Sequence, residues 1–386
     1  MDAKKDSAKK IKILFITAAT HKKHMKNINH YQRVYFLSRW ADLSILASKS
    51  SDFSLSAYRG TKIFRSFFSH KTASLIYFFW WILVKGCRGN YDIVITEPSI
   101  YSVCGFWAKI ILNIKWVVDI WDIPIRCQSH LILLRLKTQA QRLFFKLIYQ
   151  QADYFIVSIL PDYELKKFGL PAEKMLLLKN AIWLKDLPQK KFHASSKWPF
   201  NLLCMRSGYS IDSGLDILSK AYRNICQDLN VSLTIVGKIP SKLRSQLDQL
   251  KGCPRVYYHD FIEHDRLLET ISSASACIIP YKNVPDLAQI YPVKLLEYLA
   301  LGAVIIASDI GGLARMIKHG WNGLLFRAGD SDDLARQISI LYNDPALREK
   351  LSLNARDTIN KEFDCEEKNR IILSNLEELI KKAESL

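Results

Sequence analysis

The sequence predicts an α/β protein made of two Rossmann-like domains, each a doubly wound parallel sheet, facing one another across a cleft. Three observations lead there. Short β-branched runs alternate with amphipathic stretches of helical length from end to end. Each strand run is nearly continuous in apolar residues, as in a sheet covered on both faces. A polar stretch at 185–197 (KDLPQKKFHASSK) interrupts the alternation near mid-chain, and the pattern restarts after it.

In the first half, strands are expected at 11–17, 43–47, 92–96, 116–120 and 153–157, with helices near 28–39, 70–87, 100–112 and 129–151. In the second half, strands are expected at 202–205, 232–236, 256–259, 276–279, 304–307 and 323–326. Its helices fall near 213–226, 240–250, 264–273, 292–301, 331–342 and 345–360. This places an N-terminal domain at 1–187, a linker at 188–198 and a second domain at 199–363. An amphipathic C-terminal helix at 364–386 is expected to pack back toward the first domain. Ligands in such sheets sit beyond the carboxyl ends of the strands.

The composition excludes several classes. With 49% hydrophobic residues in 386, the chain can offset the entropy lost on folding, so it is not disordered. Gly at 15, Pro at 12 and Cys at 8 rule out collagen-like repeats and disulfide-dense mini-domains. The cysteines are scattered with no CxxC pair and read as small core residues, which fits a reducing cytoplasm. The polar N-terminus, MDAKKDSAKK, runs straight into the first strand with no apolar signal segment.

Charge is unevenly placed. The net charge is +18. Residues 1–190 hold 30 Lys and Arg against 13 Asp and Glu, whereas 191–386 hold 25 against 24. The excess lies in the first half and points to an anionic partner there. The aromatics of that half cluster in apolar runs instead of alternating with Lys and Arg, which argues against nucleic acid. The most apolar run, 73–87 (ASLIYFFWWILVKGC), is too short for a spanning helix, which needs roughly 20 residues. It is apolar on every face, which favours a buried helix. Its aromatics and basic flanks, Arg65, His70, Lys71, Lys85 and Arg88, would also suit a membrane interface.

The stretch most informative about chemistry is 290–327, IYPVKLLEYLALGAVIIASDIGGLARMIKHGWNGLLFR. Pro292 would open a helix carrying Lys294 and Glu297 one turn apart, closed by Gly302. Glu297 stands in an apolar run and needs a partner, since burying an unpaired carboxylate is costly. Sugar hydroxyls are natural donors to it. Gly311 and Gly312 precede the next helix and leave backbone N–H groups open to a phosphate or sugar oxygen. The plainer reading is an i,i+3 pair of Lys294 with Glu297 and an ordinary Gly-Gly turn.

In order, Tyr291-Pro292-Val293-Lys294-Leu295-Leu296-Glu297-Tyr298, Ser308-Asp309, Gly311-Gly312 and Gly320-Trp321-Asn322-Gly323 resemble the donor-site signature of GT-B glycosyltransferases, specifically the retaining family 4, or glycosyl transferases group 1. The resemblance implies a GT-B fold and transfer of a sugar from a nucleotide diphosphate sugar. It makes Glu297 the second glutamate of an E-x7-E motif, on the ribose of the donor. The first glutamate is replaced by Gln289, near the donor sugar. Gly311 and Gly312 would present backbone to the diphosphate or sugar. The loop at 206–214 (RSGYSIDSG) would hold the diphosphate through Arg206 and Gly208. The family's usual downstream Lys is missing there, so Lys294 would share the task with Arg206.

In the first domain, Asp119 and Asp122 close a strand facing the cleft, where the resemblance places a His or Asp near the reacting sugar, and they are the candidate catalytic carboxylates, not ranked between them. Their plainer role would be to cap the next helix. His21, His30 and Arg33 form a candidate acceptor-phosphate contact. The resemblance implies that no metal or other cofactor is needed. Asp330-Ser331-Asp332-Asp333 reads as a solvated helix N-terminus and not as a cation site.

The function expected is a retaining hexosyltransferase-like enzyme of polysaccharide, lipopolysaccharide or capsule biosynthesis. Its partners would be a nucleotide sugar, a lipid-linked or saccharide acceptor and an anionic membrane surface, with no nucleic acid. The alternatives are a nucleotide-sugar 2-epimerase of the same architecture and a catalytically inactive basic binding protein.

Overall fold

The computed structural model describes residues 10–17, 29–49, 60–120, 132–158, 169–178, 181–182, 184, 187, 200–284, 292–363 and 365–384, with the backbone alone at 29–31, 132–138, 360–362 and 383–384. The chain divides into two compact units, residues 1–180 with 365–386, and residues 181–364.

Unit 1 runs β1 (Lys12–Thr17), α1 (Asn29–Trp40), β2 (Asp42–Ala47), β3 (Lys62–Arg65), α2 (Lys71–Val84), β4 (Ile93–Thr96), α3 (Ser102–Leu112), β5 (Lys115–Ile120), α4 (Ile132–Tyr149), β6 (Tyr154–Ser158) and β7 (Met175–Leu178). The strands pair in parallel in the order β3-β2-β1-β4-β5-β6-β7. Chain order reverses between β1 and β4, the switch point where such sheets open toward ligands.

Unit 2 runs β8 (Phe200–Gly208), α5 (Leu215–Ile225), β9 (Val231–Lys238), α6 (Arg244–Asp248), β10 (Val256–His259), α7 (His264–Ser273), β11 (Ala276–Ile279), α8 (Val293–Leu301), β12 (Ile305–Ser308), α9 (Gly311–Ala314), β13 (Leu324–Phe326), α10 (Ser331–Asn343) and α11 (Pro345–Glu362). Its parallel sheet is ordered β10-β9-β8-β11-β12-β13, with the switch between β8 and β11. The last helix, α12 (Cys365–Glu384), belongs to unit 1, where the Tyr154 hydroxyl donates to Asn375 Oδ1 at 3.0 Å and the Cys365 thiol to Gln32 Oε1 at 3.3 Å.

The apolar strand runs are explained by two-faced burial. In β8, Phe200, Leu202 and Cys204 enter one core cluster, while Leu203 and Met205 enter the cluster on the opposite face. In β11 the same alternation sends Ala276 and Ile278 to the first and Cys277 and Ile279 to the second. Both doubly wound parallel sheets of the expected fold class are therefore present.

Three features depart from the sequence reading. β3 and β7 were not expected; each is a four-residue strand at a sheet edge, half-exposed and without a long apolar run to mark it. The helix in the apolar run, α2, is buried on one side only, through Ser74, Phe78, Trp81 and Ile82, while Ile76, Phe79, Trp80 and Leu83 face outward. Cys104, Cys204, Cys226, Cys277 and Cys365 are buried core residues, but Cys87 is exposed. Cys127 lies outside the described residues.

Two glycines set the geometry around the end of β8. The β8–β9 register shifts between Met205 and Gly208, a bulge that re-aims Arg206. Gly237 lies under it at φ +127°, where a Cβ would stand 1.8 Å from the Arg206 carbonyl oxygen. Gly214, at φ +73°, would place a Cβ 1.5 Å from the Pro280 carbonyl oxygen. Gly214→Ala combines left-handed backbone strain with this overlap, a penalty of about 3 kcal/mol or more. The expected result is a fall of about 6–12 °C in the melting temperature of unit 2, read by calorimetry. A shift within experimental error would show that the loop gives way freely.

Candidate functional site

At the switch point of unit 2, three cationic features meet at the carboxyl end of β8. Arg206 emerges from the bulge and lays its guanidinium 4.4 Å from the ring centroid of Tyr281, just beyond β11. One of its terminal nitrogens, Nη1, is enclosed without a hydrogen-bond partner among the described residues. Lys294, in the first turn of α8, turns its ammonium inward to donate to the Met205 carbonyl at 2.9 Å. The N-terminal turn of α8 adds the positive end of its dipole.

These groups perturb one another. Burial and then the Arg206 guanidinium pull Lys294 down to about 7, with Cys204 and Glu297 pulling weakly the other way. Burial pushes the Tyr281 hydroxyl up to about 12 against the opposing pull of Arg206. Glu297 follows Lys294 by one turn and is 7% exposed. The segment after β11 is tied to the loop after β8 by Lys282 N–H donating to the Asp212 carbonyl at 3.0 Å, and to the first turn of α5 by the Lys282–Asp216 ion pair at 2.8 Å. Gly208, at the tip of β8, is exposed, and a Cβ there would meet only the Lys238 carbonyl at 3.9 Å. Gly311 is exposed and Gly312 buried at the start of α9. Neither has a positive φ, so what they contribute is the missing side chain.

Other motif residues hold the frame. Asn322 is fully buried; its amide donates to the Met316 carbonyl at 2.9 Å and to Thr358 Oγ1 at 3.0 Å, and its carbonyl accepts from the Lys318 N–H at 2.7 Å. Asp330 caps α10 by accepting from the N–H groups of Asp332 and Asp333. Asp333 is buried where a solvated residue was expected. Burial pushes its carboxyl up, but bonds from the Arg327 N–H, Gln337 and Arg336 outweigh that and hold it below the usual carboxylate range.

In unit 1 the carboxyl ends of the strands hold two buried polar pairs. The register aligns Ile16 of β1 with Thr96 of β4 and Thr96 with Val118 of β5, so Thr17, Glu97 and Asp119 stand one step further along. The Thr17 hydroxyl donates to Glu97 Oε1 across the switch point. Asp119 is completely buried and accepts from Arg33 Nη1 at 2.7 Å, while Arg33 Nη2 donates to Ser158 Oγ at 3.0 Å. Arg33 Nε and Asp119 Oδ2 are enclosed without hydrogen-bond partners among the described residues. Burial pushes the Asp119 carboxyl up to about 6, against the pull of Arg33.

The structure thus brings Arg206, Lys294 and Glu297 into one neighbourhood, and Arg33 and Asp119 into another. Arg33 is turned into the interior, 5% exposed, instead of lying on a basic surface with the histidines. His21, Asp122 and Gln289 lie outside the described residues, and His30 is described as backbone of α1 only. Sequence reasoning missed Tyr281, Ser158 and Glu97. The signal for Glu97 was available as a carboxylate directly after the apolar strand 93–96; Tyr281 and Ser158 become relevant only through tertiary register. Among the described residues no group of three or more His, Cys, Asp or Glu is arranged to hold a metal. A cavity of about 560 Å³ in unit 1 lies at the amino ends of the strands, by Asp92, Lys115 and Asp153, at the opposite end of the sheet from Arg33 and Asp119.

Comparison with known proteins places the chain by family and by fold. Residues 165–358 match the model of the family described as glycosyl transferases group 1. A glycosyltransferase of Methanocaldococcus jannaschii is 27% identical over 154 residues, 39% of this chain and 38% of that protein. The chain thus spans about two-fifths of the length of the curated relatives it first matches. Among solved structures, a glycosyltransferase from Rickettsia africae superposes with a TM-score of 0.72 at 14% identity, over 96% of this chain and 99% of that one. Anabaena HepE in complex with UDP and glucose gives 0.69 at 18% identity, over 95% and 100%.

Proposed function

Because the chain belongs to the glycosyl transferases group 1 family, we propose that it moves a sugar from a nucleotide diphosphate donor to a lipid-linked or cell-envelope saccharide, with retention of anomeric configuration. The observation that carries this reading is the convergence of Arg206 and Lys294 at the end of β8 with Glu297 one turn beyond. Two cations suit a diphosphate, and a buried carboxylate suits the paired hydroxyls of a ribose. HepE, of like fold, was solved with UDP and glucose, which supports the same donor chemistry here. Gln289 would accept or donate one hydrogen bond to the donor sugar where a glutamate could only accept. Gly208, Gly311 and Gly312 would let backbone approach the diphosphate.

Asp119, enclosed and committed to Arg33, is assigned to positioning that guanidinium. Asp122, three residues on, is the candidate for contact with the reacting centre, and His21 and His30 for contact with the acceptor. The acceptor and the compartment are read from charge: the half of the chain carrying the excess cations is the acceptor half, which suits polysaccharide, lipopolysaccharide or capsule synthesis at an anionic cytoplasmic membrane face.

The test is sugar transfer by the purified chain from UDP-, GDP- and other nucleotide sugars to membrane acceptors. Glu297→Ala is expected to lower kcat/KM by about 10–100-fold, the worth of hydrogen bonds to a charged group. Equal turnover by variant and wild type would overturn the donor assignment. Conversion of the nucleotide sugar to its epimer with no acceptor requirement would instead identify an epimerase.

A further inference from the structure

We propose that the outward face of α2, together with Phe67 and Phe68, is the surface that seats this chain on an anionic lipid bilayer, with the helix lying in the plane of the headgroups. The inference rests on the membrane reading above and names the residues that would make the contact.

The face is apolar to a degree that water does not favour. Ile76, Phe79, Trp80 and Leu83 recur at helical spacing along the side of α2 opposite its core residues, and Ile76 is 67% and Trp80 48% exposed. Phe67, ahead of the helix, is 76% exposed and packs edge-on against Tyr77, so the loop and the helix form one patch. Contiguous exposed apolar surface of this kind marks an interaction site.

The charge around it selects the occupant. Arg65, Lys71, Lys85 and Arg88 are exposed at the two ends of the helix and carry no ion pair among the described residues. No Asp or Glu occurs anywhere in 53–91. Aromatic rings with a cationic rim match the boundary between acyl chains and anionic headgroups. At 14 residues α2 is about 21 Å long, shorter than the roughly 30 Å hydrocarbon core. No helix among the described residues is long and apolar enough to cross a membrane. An in-plane helix with one face in the protein core and the other in lipid accounts for apolar residues on both sides.

Co-sedimentation with mixed phosphatidylglycerol–phosphatidylcholine vesicles tests the proposal. The wild type is expected to bind these and not pure phosphatidylcholine vesicles. Ile76→Glu combined with Trp80→Glu is expected to weaken binding by about tenfold or more while leaving the melting temperature unchanged, because Ile76 is 67% and Trp80 48% exposed. Trp80→Phe serves as a second measurement. It should retain vesicle binding but lose the part of the fluorescence quenching by brominated lipid that arises from position 80. If the wild type binds and the double variant binds equally, the membrane reading stands and this surface is wrong. If the wild type binds neither vesicle, both fail. If the double variant instead dissociates a dimer in solution, the face is a contact between copies of the chain and the proposal is overturned.

Discussion

Asp119→Ala is expected to destabilise unit 1 by about 3–5 kcal/mol, because it leaves the buried Arg33 guanidinium without the oxygen it donates to, which a protonated Asp119 would still offer. Arg33 is 5% exposed and Asp119 not at all, so water cannot replace the lost carboxylate. Replacing both partners, Arg33→Met with Asp119→Leu, removes the stranded charge and should recover most of that loss. Hydrogen exchange of the β5 and β6 amides reads the change within unit 1, where a single global transition is not assured. An Asp119→Ala effect below about 0.5 kcal/mol would mean that the pair is solvated.

The pair also carries a sign. An unfolded aspartate titrates near 3.9, while burial holds Asp119 near 6 in the folded chain. Between those values the folded state binds more protons. This stabilising contribution is present below about pH 4 and is lost as pH rises through 6. Burying this ion pair therefore opposes folding at neutral pH, and its presence calls for another reason. That reason is the guanidinium it fixes at the carboxyl ends of β5 and β6. The double variant should accordingly fold nearly as well as wild type yet lose about 100-fold or more in transfer. Wild-type transfer by a folded double variant would reduce the pair to a packing element.

What could be read from the sequence depended on contrast. The central strands were legible because parallel sheets covered on both faces need unbroken apolar runs, as at 202–205 and 276–279. The edge strands Lys62–Arg65 and Met175–Leu178 have one neighbour and half-exposed residues, and four residues make no pattern. At 73–87 the helix was visible but its orientation was not, since residues apolar on both sides give periodicity nothing to register. Motif residues announced Lys294 and Glu297, but not that the Lys294 ammonium would turn onto a carbonyl 89 residues earlier. Arg33 and Asp119 are 86 residues apart and meet only through folding of the sheet. Local spacing carries no information about such a pair.

Binding of a nucleoside diphosphate at pH 8 is expected to take up close to one proton, and that proton goes to Lys294. In the free chain, burial and Arg206 hold Lys294 near 7, so at pH 8 the amine is mostly neutral. An anionic diphosphate beside Arg206 favours the ammonium and raises its affinity for the proton. Donor affinity should therefore fall as pH rises above 7, by up to about tenfold per unit, until the pKa of the complex is reached. The unbound chain should show the opposite slope. An unfolded lysine keeps its proton to about 10.4, so between pH 7 and 10 the unfolded state binds more protons and this site's contribution to stability rises with pH. Calorimetry of UDP and GDP binding in buffers of different ionisation enthalpy measures the uptake directly. Lys294→Met should abolish it and flatten the pH dependence. Arg206→Met should reduce the uptake without abolishing it, because burial, the larger cause, still holds Lys294 down in the free chain, and binding should weaken. Wild-type binding with no proton uptake between pH 7 and 9 would place the diphosphate away from Lys294, and leave Arg206 as the cation of the pair that holds it.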